Sequence, residues 1–190
     1  MRHMKHTFDG TTIYESSFDP ETGTLVREVE MEPHLHGHPT GGELPPTIQF
    51  PDELPFHRTE KAWSPVPETV DVKITDHCPV GCDYCYMDST KDSPHGPSDL
   101  IDTIIEGFDQ PPYEMAIGGG EPTLHPDFPE ILETCREKDV VPSYTTAGVN
   151  MDEEVVEATN KYVGGVAMSY HPHLGLEWFE ERFKMLRNRL

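Results

Sequence analysis

The sequence has few cysteines and no long hydrophobic run. Only 4 of its 190 residues are cysteine, and three of these fall within one short stretch, which is typical of a metal or redox site and not of a disulfide framework. No apolar segment approaches the length that crosses a bilayer, and no charged-then-apolar leader opens the chain. We therefore expect a soluble, cytoplasmic protein with no membrane partner.

Basic residues are also scarce. Lysine and arginine total 14 against 35 aspartates and glutamates, which gives a formal net charge of -21. Because neutralising phosphates requires clustered lysines and arginines, this balance argues against nucleic acid as a partner. Small substrates and basic peptides stay open. The length allows one sizeable core with appendages.

Cys78, Cys82 and Cys85 stand in a C-x3-C-x2-C arrangement, directly after the β-branched run 70–75. Thiolates are soft ligands that select iron–sulfur clusters, zinc or copper(I). A four-iron cluster normally takes four protein ligands, so three cysteines would leave one iron open to another molecule. The competing interpretation is a structural zinc ion with a neighbouring histidine as its fourth ligand.

The cysteine motif, with Tyr84 before its third cysteine, resembles the signature of the radical S-adenosylmethionine (radical SAM) enzymes. About one βα unit later, residues 118–121 read Gly-Gly-Gly-Glu and resemble the glycine-glycine-glutamate motif of the same family. Glycine lets a backbone approach a ligand closely. The family uses this motif to bind the ammonium group of S-adenosylmethionine (SAM). The resemblance covers roughly residues 69–190.

The resemblance implies a site and a reaction. The three cysteines would bind a [4Fe-4S] cluster, and a reductant such as flavodoxin or ferredoxin would supply the electron that cleaves SAM to methionine and a 5′-deoxyadenosyl radical. That radical would take a hydrogen atom from a substrate, either a peptide or a small molecule. The residues expected to contact the cofactor SAM are Tyr84, Gly119, Gly120, Glu121, Thr145, Thr146 and Ser169. His171 is a weaker candidate for substrate contact.

Two alternatives to a complete enzyme stay open. The chain could be a non-catalytic metal-binding subunit, with zinc or an iron–sulfur cluster, or one half of a split enzyme. Glu121 and the glycines favour the enzyme, because a structural metal site would not need them.

The fold class predicted is α/β, a partial (β/α) barrel with about four βα units, since strand and helix patterns alternate from residue 69 onward. In such sheets the chemistry lies at the carboxyl ends of the strands, where the cysteines, Glu121 and the later polar residues all fall. The predicted strands are 70–75, 113–117, 140–144 and 163–168. The predicted helices follow Ser98, taken as a helix cap, and cover 128–135, 152–160 and 176–190. The family core has six such units, so we expect a second copy or a partner chain to cover the open sheet edge.

We predict two regions, an N-terminal extension over residues 1–66 and the radical SAM core over residues 67–190. The extension includes one β-hairpin, around a turn at 19–23, and an irregular proline-rich arm. His34, His36 and His38 alternate at the start of that arm, where a solvated loop is favoured over a metal site. Cys135 shares a helix face with apolar residues, and we expect it to be buried.

Overall fold

The N-terminal strands form an antiparallel sheet in the structure, a computed structural model that describes residues 1–8, 11–28, 62–63 and 66–189. The strands are β1 (Arg2–Phe8), β2 (Thr11–Asp19), β3 (Thr24–Glu28) and β4 (Ala62–Trp63), in the order β3-β2-β1-β4. Of these strands, the sequence predicted only the β2–β3 hairpin and not β1 or β4. Most of the proline-rich arm and the three alternating histidines lie outside the described residues.

A second sheet is parallel and keeps its strands in chain order, β5-β6-β7-β8. Its elements are β5 (Thr69–Thr75), α1 (Leu100–Glu106), β6 (Glu114–Gly119), α2 (Phe128–Glu137), β7 (Val141–Thr146), α3 (Glu153–Tyr162), β8 (Gly165–Met168) and α4 (Gly175–Arg189). A short 3-10 helix, Pro122–Leu124, precedes α2. Each strand is followed by a helix, because parallel neighbours need a long crossover. The predicted α/β fold with four βα units is confirmed.

The chain divides into two compact units. One comprises Met1–Asp19 and Thr24–Pro65, and the other comprises Pro20–Gly23 and Val66–Leu190. The parallel sheet and its helices belong to the second unit. No helix in the described part of the chain is long and apolar enough to cross a membrane.

The hydrophobic core of the second unit lies between the parallel sheet and helices α1, α2 and α3. Alternate strand residues point into it, because successive side chains of a strand face opposite sides of the sheet. The core comprises Val72, Ile74, Ile101, Ile105, Met115, Ile117, Phe128, Ile131, Leu132, Cys135, Val140, Tyr144, Val155 and Ala158. As expected, Cys135 is fully buried here, and its burial raises the pKa of its thiol to about 12.

The opposite face of the parallel sheet is not covered by these helices, and its side chains are mostly small. Strand pairing places Asp71, Ala116, Ser143 and Gly165 in one row across the four strands. These residues line a cavity together with the ends of the strands. The sheet therefore separates a packed apolar side from an open side that can receive ligands.

Two helix predictions were wrong in detail. Ser98 does not cap the first helix, which begins at Leu100 after Asp99; the Ser98 hydroxyl instead donates a hydrogen bond to Asp127. The helical spacing of Leu176, Phe179, Phe183, Leu186 and Leu190 predicted that all five point inward from the last helix, but Leu176 and Phe183 are 58% and 46% exposed.

Candidate cluster and cofactor site

The three cysteines lie on a loop that folds back along the end of β5. The amide of Cys78 donates to the carbonyl of Thr90 at 2.9 Å, and the amide of Gly96 donates to the carbonyl of Ile74 at 2.8 Å. A turn then brings the amide of Cys85 to the carbonyl of Cys82 at 3.1 Å. All three thiols are only partly buried. The loop thus has a defined backbone and presents its sulfur atoms at the surface of the site.

One cavity of about 1010 Å³ joins every residue that the sequence predicted for the site. Its lining includes Cys78, Cys82, Cys85, Tyr84, Gly119, Gly120, Glu121, Thr145, Thr146, Ser169 and His171. They come from the ends of all four parallel strands and the loops that follow. The topology of the sheet therefore brings them together, and their roles toward a cofactor stay predictions.

The glycine run at the end of β6 packs against the end of β5. A Cβ atom on Gly119, whose φ is +120°, would lie 2.2 Å from the carbonyl oxygen of Thr75. A Cβ on Gly120 would lie 2.3 Å from the carbonyl oxygen of His77. These two glycines are therefore required by the approach of two backbones, whatever they do for a ligand. A Cβ on Gly118 meets nothing within 4 Å, so this position leaves open space in the cavity.

The carboxylate of Glu121 is buried, with 1% of the residue exposed, and its oxygens accept hydrogen bonds from the protein itself. Oε1 accepts from the hydroxyls of Thr123 at 2.6 Å and Thr146 at 2.5 Å. Oε2 accepts from the amide of Ala147 at 2.8 Å. A buried carboxylate needs such donors. Glu121 therefore joins the ends of β6 and β7 at the rim of the cavity.

The polar residues at the ends of β7 and β8 differ in their exposure and in the hydrogen bonds that they make within the protein. Thr146 is buried, and besides its bond to Glu121 its hydroxyl accepts from the amide of Gly148 at 2.9 Å. Thr145 is exposed and faces the cavity, and Ser169 is partly exposed on the same lining. Thr145 and Ser169 are thus better placed than Thr146 to contact a ligand through their hydroxyls.

The environment of the Cys78 and Cys82 thiols opposes their ionisation. Burial raises the pKa of Cys78, and the charges of Glu121 and the other two cysteines add to this effect, while the amide of Val80 opposes it. Burial also raises the pKa of Cys82. Metal ligands must be deprotonated, so binding of iron or zinc here would release protons.

Two histidines after β8 reach back to the cysteine loop. Nδ1 of His171 lies 3.2 Å from Sγ of Cys82 and 3.5 Å from the hydroxyl of Tyr84. Nε2 of His173 lies 2.8 Å from the carbonyl oxygen of Val80. The pKa of His171 is lowered by burial and by the neighbouring His173. These contacts fasten the loop after β8 to the loop after β5.

The donor set suits an iron–sulfur cluster. Three soft thiols from one loop face a single cavity, close enough for Cys82 and Cys85 to act on the ionisation of Cys78. In the described part of the chain, no three His, Cys, Asp or Glu side chains are grouped to hold one metal ion. A cluster does not require such a group, because each thiolate binds a different iron.

Comparison with protein families favours one interpretation of the cysteine motif. Residues 72–189 match the model of the Radical SAM superfamily, and this range contains the cysteine loop, the glycine run and all four helices of the parallel sheet. The chain belongs to the radical SAM superfamily. Enzymes of this superfamily use a [4Fe-4S] cluster and SAM, so the zinc alternative is not favoured.

Individual relatives match only part of the chain. It is 33% identical over 91 residues to a GTP 3′,8-cyclase of Actinobacillus pleuropneumoniae, which is 44% of this chain and 27% of that protein. It is 32% identical over 88 residues to the mycofactocin maturase MftC of Mycobacterium ulcerans, which is 44% of this chain and 23% of that protein. The chain thus spans about a quarter of the length of these curated relatives.

A solved structure with a related arrangement is SuiB of Streptococcus suis bound to its precursor peptide SuiA. The TM-score is 0.47 at 22% identity, over 54% of this chain and 24% of that one.

Several contacts in the site could not be read from the sequence. Thr123, Ala147 and His173 carried no motif, and His171 was considered only for substrate contact. Their roles depend on which loops meet at the rim, and no local pattern reports that.

Proposed function

We propose that this chain is a radical SAM enzyme in which Cys78, Cys82 and Cys85 hold a [4Fe-4S] cluster beside a SAM-binding cavity. With these groups bound, the reduced cluster would supply the electron for cleaving SAM to methionine and a 5′-deoxyadenosyl radical, and that radical would take a hydrogen atom from the substrate. The observation that carries the proposal is the single cavity shared by the three thiols and the end of β6.

The residues around that cavity have different proposed roles. The cysteine loop supplies ligands, and Gly118 leaves room beside them for a bound molecule. Tyr84, which is 62% exposed, offers an aromatic surface next to the thiols, and Thr145 and Ser169 offer hydroxyls. Glu121 fixes the rim through its bonds to β7 and acts on a ligand through the position of that rim.

The substrate we propose is a peptide or small molecule that is not bound through phosphates. The names of the relatives point to different reactions, the cyclisation of GTP for the cyclase and the maturation of mycofactocin for the maturase. Among the described residues that line the cavity, Lys73 is the only lysine or arginine. Its Nζ donates a hydrogen bond to the carboxylate of Asp76 at 2.8 Å. A triphosphate requires several cations, so the lining disfavours GTP.

We also propose that another polypeptide completes the site, either a second copy of the chain or a partner. Within the described residues β8 pairs with β7 alone, which leaves its outer edge open, and the neighbouring helix α4 exposes Leu176 and Phe183. Proteins usually cover such edges. If a second copy completes the site, light scattering of the purified protein should give a mass above that of one chain. A fully active monomer would contradict this part of the proposal.

The experiment that tests the function is an anaerobic turnover assay. The protein is reconstituted with iron and sulfide, mixed with dithionite and SAM, and examined for 5′-deoxyadenosine by chromatography. We expect the product from the native chain and none from Cys82→Ala. Because Cys135 lies in the core and not in the cavity, Cys135→Ala is the matched control and should keep the activity.

The negative outcomes have different meanings. A formed cluster without 5′-deoxyadenosine would show that this chain alone does not cleave SAM. Zinc in place of iron, with no product, would overturn the proposal in favour of a metal-binding subunit.

A further inference from the structure

The sulfur of Cys82 differs from the other two in its neighbours. Nδ1 of His171 lies 3.2 Å from it, and the same nitrogen lies 3.5 Å from the hydroxyl of Tyr84. At Cys78 the backbone amide of Val80 favours the ionised sulfur and so opposes the effect of burial on its pKa. Cys82 therefore has an imidazole nitrogen within hydrogen-bond distance of its sulfur, and that imidazole comes from a residue 89 positions later in the chain.

The position of His171 is fixed by structure on both sides. The amide of Ser169 donates to the carbonyl of Thr146 at 2.8 Å, which ties the end of β8 to the end of β7. On the other side, His173 contacts the carbonyl of Val80 at 2.8 Å, and its ring packs against that of His171 with centroids 5.9 Å apart. The imidazole is thus held at the cysteine loop from both ends of its own segment.

We propose that His171 is a positioning residue for the cluster, whose Nδ1–H donates a hydrogen bond to the iron-bound sulfur of Cys82 and raises the reduction potential of the cluster. The proposal rests on the proposed function, because it requires Cys82 to be a cluster ligand. A thiolate bound to iron carries no proton, so in this contact the imidazole must be the donor.

The effect on the potential follows from charge. Reduction adds an electron to the cluster and its thiolates, and a donor hydrogen beside the sulfur stabilises the added negative charge. Hydrogen bonds to the sulfurs and solvent exposure are among the factors that set iron–sulfur potentials. Removal of the His171 donor should therefore make the cluster harder to reduce.

The test is an anaerobic redox titration of the reconstituted full chain, without SAM, followed by electron paramagnetic resonance (EPR). His171→Phe should shift the midpoint to a more negative potential. His171→Asn keeps an N–H close to the position of Nδ1, and it should stay near the native value. His173→Gln, which removes the neighbouring ring and keeps a donor for Val80, is the matched control and should also stay near it.

A second measurement detects the contact between His171 and the cluster in the native protein, where the histidine donor is still present. In native protein labelled with ¹⁵N-histidine, electron–nuclear double resonance of the reduced cluster should show a ¹⁵N coupling that disappears in His171→Asn. This measurement decides the matter if His171→Phe fails to hold a cluster.

The failures are distinguishable. An intact cluster in His171→Phe with an unchanged midpoint would overturn the hydrogen bond and leave the proposed function standing. The absence of a histidine coupling in the native protein would do the same. A native chain that assembles no iron–sulfur cluster would overturn the proposed function, and the role of His171 with it.

Discussion

Two regions at the same rim of the parallel sheet differ in the burial and hydrogen bonding of their polar atoms. Around Glu121 the carboxylate oxygens are buried and bonded to Thr123, Thr146 and Ala147. On the cysteine loop the thiols are partly exposed and have few hydrogen-bond partners. The first region is complete without a ligand, whereas the second presents soft donor atoms to a cavity.

The difference separates residues that matter for folding stability from residues that matter for cofactor binding. Removing one partner of a buried hydrogen bond lowers the free energy of unfolding, because the other partner stays buried without a bond. A partly exposed thiol contributes little to that free energy, and its chemistry becomes available to a metal. We therefore expect substitutions in the first region to act on stability and those in the second to act on cofactor binding.

The largest expected effect is the loss of the cluster in Cys82→Ala. Iron and sulfide content after anaerobic reconstitution should fall to background, while urea unfolding of the metal-free protein should change by only about 0.5 kcal/mol. Cys135→Ala should show the reverse, an intact cluster and a loss of about 1 kcal/mol from the core. If both variants lost the cluster equally, the distinction between loop and core would fail.

The next largest effects are expected from alanine substitutions at two neighbouring glycines of β6, Gly119 and Gly118. In Gly119→Ala the new Cβ would meet the carbonyl of Thr75 at 2.2 Å and the residue would keep an unfavourable φ, so we expect about 3 kcal/mol of destabilisation. Gly118→Ala should leave unfolding nearly unchanged and weaken SAM binding, because its Cβ enters open cavity space. Isothermal titration calorimetry with SAM and urea unfolding provide the two readouts. Unweakened SAM binding in Gly118→Ala would place the cofactor away from this strand.

Glu121→Gln tests the hydrogen-bonded region directly. A glutamine has one acceptor oxygen, and its amide would face either the hydroxyls of Thr123 and Thr146 or the amide of Ala147, so about 2 kcal/mol should be lost on urea unfolding of the metal-free protein. Glu121→Asp is a useful companion, since it keeps the charge and shortens the reach. A native stability together with lost SAM binding would instead make Glu121 a direct cofactor ligand.

The smallest effects come from neighbouring threonines. Thr146→Val removes a buried hydroxyl that bonds to Glu121 and Gly148, and should cost about 1 kcal/mol. Thr145→Val lies on the exposed side of the same strand and should change stability by less than about 0.5 kcal/mol. The two melting curves should therefore separate, and equal curves would show that the Glu121 bonds contribute nothing measurable.

Much of the fold and of the site's location follows from local sequence patterns. The alternation of strand and helix patterns predicted the parallel sheet, and parallel strands bring their carboxyl ends to one edge. The three cysteines, the glycine run and the polar residues after the later strands were therefore expected at one rim, where the structure has them.

The contacts within the rim could not be predicted in the same way. Thr146 and Ala147 lie 25 and 26 residues from Glu121, and His171 lies 89 residues from Cys82, so their contacts depend on the register of strands and the path of loops. Periodicity also failed at α4. It shows which residues share a helix face, but it does not show whether another element covers that face.

The most direct test of the account is EPR spectroscopy of the anaerobically reconstituted and reduced protein, with and without SAM. We predict the signal of a reduced [4Fe-4S] cluster in the native chain, a change in its g values on adding SAM, and no signal in Cys82→Ala. A cluster signal that persists in Cys82→Ala, or that does not respond to SAM, would contradict the claim that this loop leaves one iron open to the cofactor.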